Sequence, residues 1–308
     1  MDTQPQQSEH TQSPDDQNAE LAISVQNLCK TFGTQQVLRG VNLDIRKGEV
    51  MVILGGSGSG KSTLLRHMIR TFTPNQGSII MFGKNLCDLE GEDLDQMRKR
   101  FGVLFQSGAL FNSMTLAENV ALPIREHTDL SQDIIDIQVK IKLELVGLRE
   151  HADKFPAQIS GGMKKRAGLA RALALDPEIV FYDEPSAGLD PVTSAEIDRL
   201  MIDLSKKLGI TTVVVTHEMD SAFTIADRMA MLDRGKMLFI EKREWFEHLR
   251  DLSHDESLKL PEEKQLVRQF LRGDAEGPIT KRKANLGYAE DLLGGTSFES
   301  TPSIQPTR

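Results

Sequence analysis

Cysteine is almost missing from this chain: Cys29 and Cys87 are the only two among 308 residues. Two thiols build neither a disulfide framework nor a four-ligand zinc site. Both lie in mixed apolar stretches, where a buried thiol is expected. Long apolar runs are missing too, since none approaches the roughly 20 residues that cross a bilayer. The first residues lack the basic-then-apolar order of a secretory signal. With 39% hydrophobic and 27% charged residues, the expectation is a soluble intracellular protein of one large domain or two small ones. Positive charge is in deficit, with a net charge of −8. Asp2, Glu9, Asp15, Asp16 and Glu20 precede Leu21 with no Lys or Arg among them, which leaves the remainder at only −3. The balance therefore carries little weight by itself, and no nucleic-acid partner is expected.

The order of segments is legible. Residues 1–20 are rich in Gln, Ser and Asp, a composition that predicts disorder. From Ile23 to Ile45 the pattern is strand-like with a break at Phe32-Gly33-Thr34, which predicts a small antiparallel sheet. Strands are expected at 79–82 and 101–105 with a helix over 90–100 between them. Apolar residues recur at helical spacing over 115–126 and 131–146. Ile179-Val180-Phe181-Tyr182 and Thr212-Val213-Val214-Val215 show no polar alternation, as strands buried on both faces of a parallel sheet do. A helix over 191–207 separates them and predicts a right-handed crossover. There is no internal repeat, so one nucleotide domain is expected.

Residues Gly55-Gly56-Ser57-Gly58-Ser59-Gly60-Lys61-Ser62-Thr63 complete the phosphate-loop pattern G-x-x-x-x-G-K-[ST]. The context fits: Val50–Leu54 reads as a buried strand and 62–70 as the helix after it. Glycines let successive N–H groups face an anion, and the helix N-terminus adds its positive end. Lys61 is expected at the β- and γ-phosphates and the Ser62 hydroxyl on Mg²⁺. A second site follows strand 179–182, at Asp183-Glu184-Pro185. A carboxylate at a strand's carboxyl end faces the crevice where α/β sheets bind ligands. Asp183 is placed to hold Mg²⁺ through its water shell, and Glu184 to polarise a water as general base. A third feature, Ser160-Gly161-Gly162 at the start of a helical run, is a second anion nest. One nucleotide cannot readily use both nests of one protomer, whereas a head-to-tail dimer brings each second nest to the neighbour's γ-phosphate.

Together these motifs resemble the ATP-binding-cassette (ABC) ATPases over residues 21–245. Gln106 matches the Q-loop, 159–163 the Leu-Ser-Gly-Gly-Gln signature with Ile and Met at its outer positions, and 186–190, ending in Asp190, the D-loop. His217 matches the switch histidine, and Phe32 occupies the place of the aromatic that stacks on adenine. The Met163 departure leaves the contacts expected of Ser160 and Gly162 intact. The resemblance implies a P-loop NTPase fold, a RecA-like α/β core with an antiparallel β subdomain and a helical subdomain near 107–175. It also implies ATP and Mg²⁺ as ligands, with Ser62, Gln106 and Asp183 toward the metal and Lys61, Gln106, Glu184 and His217 in catalysis.

Within that family, 105–111, 160–166, 183–190 and Val267–Gly273 followed by Gly277-Pro278 are similar to the ATPases of bacterial Mla/Mce-type lipid transporters. That branch implies a homodimer on the cytoplasmic face of the inner membrane, under a permease. A small STAS-domain protein and a periplasmic MCE protein are its further expected partners. An importer ATPase for a small polar solute, and a soluble ABC protein without a permease, are the alternatives. Phe111, just after the Q-loop, is either part of a permease docking surface or core. Beyond the cassette, 246–278 is expected to be a helical extension. Leu266, Val267, Phe270 and Leu271 fall on one face of a helix that starts near Pro261 and packs on its own cassette or on a partner. Gly277-Pro278 is expected to break that helix. Residues 279–308 form an arm or disordered tail, with Leu286, Tyr288, Leu292 and Leu293 as isolated apolar anchors.

Overall fold

The computed structural model describes residues 20–284. In chain order the elements are β1 (Leu21–Phe32), β2 (Gln35–Arg46), β3 (Val50–Leu54), α1 (Lys61–Met68), β4 (Gln76–Met81), β5 (Lys84–Asn85), α2 (Gly91–Arg98) and β6 (Phe101–Leu104). There follow α3 (Leu116–His127), α4 (Gln132–Leu145), α5 (Gly161–Ala172), β7 (Ile179–Asp183), α6 (Pro191–Leu208), β8 (Thr211–Val215) and α7 (Met219–Ile225). The last are β9 (Arg228–Asp233), β10 (Lys236–Lys242), α8 (Arg243–Asp251), α9 (His254–Ser257), α10 (Glu262–Arg272) and α11 (Pro278–Ala284).

Two sheets carry the first unit of the chain, which runs to Glu247. One is antiparallel, with strand order β2-β1-β4-β5. The other has order β10-β9-β3-β8-β7-β6. It is parallel throughout except for the β9–β10 hairpin. β3 and β8 are buried at every residue, which is why their sequences show no polar alternation. Ile23, Leu38, Leu43 and Ile79 from the antiparallel sheet share one apolar core with Met51, Ile53, Phe181 and Val213 from the parallel one. Leu64, Leu65 and Met68 of α1 fill it from the helix side. The phosphate-loop helix is thus seated between the two sheets.

Helix boundaries follow their caps. Thr115 and Glu118 form a reciprocal capping box at α3. Asp190 caps α6, Pro191 takes its first turn, and Gly209 closes it in the left-handed conformation. Helices α3, α4 and α5 form the helical part between β6 and β7.

Three expectations change. Residues 228–242 form a hairpin that the sequence leaves unassigned, because charged residues at both ends and around Gly235 mask its apolar centre. Cys29 and Cys87 are half-buried rather than fully buried. Pro278 opens α11 instead of only ending a helix; α10 stops earlier, at Gly273, in the left-handed conformation. A second unit begins at His248. In it Leu266, Val267 and Leu271 of α10 are buried. Gln269 ties α10 to α11 by donating to Thr280 Oγ1 at 2.9 Å and accepting from the Ile279 N–H at 2.7 Å. Residues 285–308, with Leu286, Tyr288, Leu292 and Leu293, lie outside the described residues, as do 1–19.

Candidate active site

β3 delivers the chain into residues 55–60, and α1 begins at Lys61. Gly55 has φ +155°, and an added Cβ there would lie 2.2 Å from Leu232 O of β9, so only glycine fits. The Lys61 side chain folds back along the loop, donating to Gly55 O at 2.6 Å and Gly56 O at 3.2 Å. Burial pushes the Lys61 pKa down, while the charges of Glu184 and Asp183 oppose that shift. Ser59 is buried with its hydroxyl unpartnered, and Ser57 and Gly58 lie exposed at the turn. Ser62 Oγ donates to Asp183 Oδ1 at 3.5 Å, and the carbonyl of Thr63 bonds His67 Nδ1 at 2.7 Å.

Asp183 ends β7. Burial raises its carboxyl pKa, the neighbouring Glu184 adds to that, and Arg66, Ser62 and Lys61 pull the other way. Glu184 takes φ +51°, a conformation uncommon for a residue with a Cβ. Its N–H donates to Val215 O at 2.9 Å. One carboxylate oxygen accepts from Thr216 Oγ1 at 3.1 Å and from the His217 N–H at 3.3 Å. The other pairs with His217 Nδ1 at 2.8 Å. Only 12% of the Glu184 side chain is exposed, against 59% for His217. The carboxylate is fixed from the protein side and the imidazole reaches outward.

The remaining candidates sit on other elements. Ser160 caps α5 and accepts from the Met163 N–H at 3.3 Å. Gly161 and Gly162 lie against Leu189 and Thr193, the latter so close that a Cβ on Gly162 would meet Thr193 Cγ2 at 2.5 Å. Asp190 accepts from the N–H groups of Val192 and Thr193, both at 3.1 Å, and from Thr193 Oγ1 at 2.5 Å. Those bonds from Thr193 lower its pKa, so within one protomer Asp190 is a helix cap. Phe32 is exposed, edge-on to Phe72 with centroids 5.4 Å apart and Lys30 Nζ 5.1 Å from its ring. The Gln106 side chain is exposed. The structure thus gathers Lys61, Ser62, Asp183, Glu184 and His217 at the carboxyl ends of β3, β7 and β8. It places Ser160, Gly161 and Gly162 against α6 instead.

Sequence reasoning misses Lys165, which is 5% exposed and donates to the backbone oxygens of Gln106 and Glu184. Burial lowers its pKa. In the run Lys164-Lys165-Arg166 it reads as part of a solvated face, and no local signal separates it from its neighbours. Asp198 is missed for the same reason. It is buried on α6 and accepts from Ser221 Oγ at 2.5 Å and Ser186 Oγ at 3.4 Å.

Hard oxygen donors at Ser62 and Asp183 suit Mg²⁺, which takes one or two carboxylates and fills its other positions with water and phosphate oxygens. Fold and site define a P-loop nucleotide-binding cassette with a second glycine-bearing helix start. The chain belongs to the ABC transporter family, whose model matches residues 38–187, and it is an ATP-binding ATPase of that family. It is 38% identical over 271 residues to the intermembrane phospholipid transport system ATP-binding protein MlaF of Haemophilus influenzae, covering 88% of this chain and 98% of that protein. It is 44% identical over 277 residues to the "Probable ribonucleotide transport ATP-binding protein mkl" of Mycobacterium tuberculosis, covering 89% of this chain and 74% of that protein. Among solved structures it resembles the dimeric post-hydrolysis state of the cassette MJ0796 bound to ADP and Pi. There the TM-score is 0.67 and the identity 32%, over 72% of this chain and 98% of that one. Among the described residues no helix is long and apolar enough to cross a membrane.

Proposed function

We propose that this chain is the ATP-hydrolysing subunit of an inner-membrane transporter that moves phospholipids or related lipids between the inner and outer membranes. The observation that carries the hydrolytic part is the Glu184 carboxylate, held by Thr216 and His217 at the strand ends next to Lys61, Ser62 and Asp183. The likeness to MlaF across nearly the whole of that protein supports the lipid part. Gly55, Gly56, Ser57, Gly58, Ser59, Gly60 and Thr63 cradle the phosphates, with Lys61 on the β- and γ-oxygens. Phe32 stacks on the adenine. Ser62, Asp183 and the Gln106 side chain would hold Mg²⁺, which would supply positive charge to offset that of the phosphoryl oxygens.

Glu184 takes a proton from the attacking water while His217 keeps that water and the γ-phosphate in register. Ser160, Gly161 and Gly162 of a second copy close the site, with Asp190 at the same junction. The dimer works at the cytoplasmic face under a permease, with a STAS-domain protein and a periplasmic MCE protein as further partners. Phe111, 50% exposed, lies on the surface that meets the permease.

The relative named for ribonucleotide transport supports a second reading, a polar-solute importer. Proteoliposomes carrying the assembled transporter separate the two. ATP-dependent movement of a headgroup-labelled phospholipid, abolished by Glu184→Gln, is the expected result. Uptake of labelled ribonucleotide with no lipid movement would replace the lipid reading.

A further inference from the structure

One face of α5 is built to hold the backbone of the loop that carries Gln106. Lys165 Nζ donates to Gln106 O and, at 3.2 Å, to Glu184 O. One turn on, Gly168 lets the loop approach so closely that an added Cβ would meet Gly108 O and Leu104 Cδ1 at 2.9 Å each. Another turn on, Arg171 donates to Ala109 O at 2.9 Å and Gly108 O at 3.2 Å. Residues 165, 168 and 171 form a slanting stripe along the helix, and each of the three meets this loop.

The other end of the Lys165 bridge matters more. Glu184 is a non-glycine residue at positive φ, and such a conformation persists only where the surroundings over-determine it. Its N–H is held by Val215, and its carboxylate by Thr216 and His217, all from β8 or the loop after it. Lys165 holds its carbonyl from the helical part of the molecule. A lysine fits between two carbonyl oxygens because its ammonium has three donors and no acceptor, and the charges of Glu218, Asp183 and Glu184 favour its protonated form against burial.

We propose that Lys165 is a positioning residue for ATP hydrolysis: by bridging the Gln106 and Glu184 carbonyls it sets the Glu184 carboxylate and ties its placement to the Gln106 loop. Lys165 reaches substrate only through those two residues. The inference rests on the reading of Glu184 as the base. The competing account is that Lys165 fills a polar gap between α5 and the core, in which case its loss weakens folding without singling out turnover.

The test uses the full chain. Lys165→Met keeps the aliphatic stem and removes the donor; Lys165→Arg keeps charge and donors. Binding of a fluorescent ATP analogue with Mg²⁺ and phosphate release are measured on each, with thermal unfolding alongside. Lys165→Met is expected to bind within about threefold of the unaltered protein while turnover at saturating ATP falls at least about tenfold, and Lys165→Arg to keep about a third of turnover or more. Folded Lys165→Met with turnover within about twofold of normal, or with affinity falling as far as turnover, overturns the proposal. If Lys165→Met shows no cooperative unfolding, Lys165→Gln is judged by the same two ratios. Glu184→Gln is run in parallel. Turnover surviving in Glu184→Gln overturns the base assignment and this proposal together. An inactive Glu184→Gln beside a normal Lys165→Met overturns this proposal alone.

Discussion

Glu184 and Gln have the same shape, and the carboxylate site is closed on the protein side by Thr216 and His217. Glu184→Gln should therefore leave ATP affinity intact and lower turnover by about a hundredfold or more, the usual weight of a general base. Phosphate release against nucleotide binding measures this, and near-normal turnover would falsify the assignment. Lys61→Ala should instead weaken nucleotide binding itself, because its ammonium lies along the loop carbonyls. Asp198 supports a prediction of opposite kind. Burial raises its pKa above 3.8, and the bonds from Ser221 and Ser186 only partly offset that. The folded chain then binds more protons than the unfolded one between 3.8 and the raised value. Stability falls as pH rises through that window. Asp198→Asn should accordingly unfold at a higher temperature than the unaltered protein at neutral pH, with the gain closing as pH drops toward 4. A gain that is equal at both ends of that range would refute it.

At the scale of elements, Asn119 is the organiser of the segment after the Gln106 loop. Fully buried on α3, it accepts from the Phe111 N–H at 2.8 Å and donates to the carbonyls of Phe111, Met114 and Thr115. That network holds 111–115 in place while Phe111 itself stays half exposed, its ring 6.0 Å from the Arg171 guanidinium. Phe111→Asp should therefore keep the circular dichroism spectrum and unfolding temperature nearly unchanged yet weaken association with the permease. Collapse of the fold in that variant would return Phe111 to the core.

Elements marked by periodicity or punctuation were readable from sequence. The alternation of 23–45, the glycine turn at 55–60 and the unbroken β-rich runs at 179–182 and 212–215 each announce themselves locally. The β9–β10 hairpin, Lys165 and Asp198 do not. Their burial depends on partners far along the chain, and charged residues inside a helix or beside a turn carry the same signature whether packed or solvated. Phe32 shows the limit from the other direction. A family pattern marks it, yet its place is set by packing against Phe72 and Lys30, which no local spacing reveals.

For the whole molecule, the two nests are separated by role. One caps the phosphate-loop helix between the sheets, and the other packs on α6 through Gly162 and Thr193. On the proposed reading, a second copy supplies the nest that closes the site. Deleting 279–308 should lower the proportion of ATP-bound dimer seen by sedimentation while each protomer keeps its ATP affinity. Unchanged assembly would remove any dimer-holding role from that segment.

Gly55 has its back to Leu232 O, and the Ser59 carbonyl accepts from the Gly235 N–H at 2.9 Å. The wall behind the nucleotide loop is thus made by residues some 175 positions later in synthesis. During translation the phosphate-loop motif leaves the ribosome early and waits, without that wall, until the hairpin at 228–242 emerges. Sheet pairings of such sequence separation form slowly, and β3 gains its two neighbours, β8 and β9, only when residues 211–233 have been made. Stalled nascent chains ending at residue 227 should fail to retain ATP, and chains extended well beyond 242, so that the hairpin clears the exit tunnel, should retain it. Retention by the shorter chain would show that the loop closes on its own.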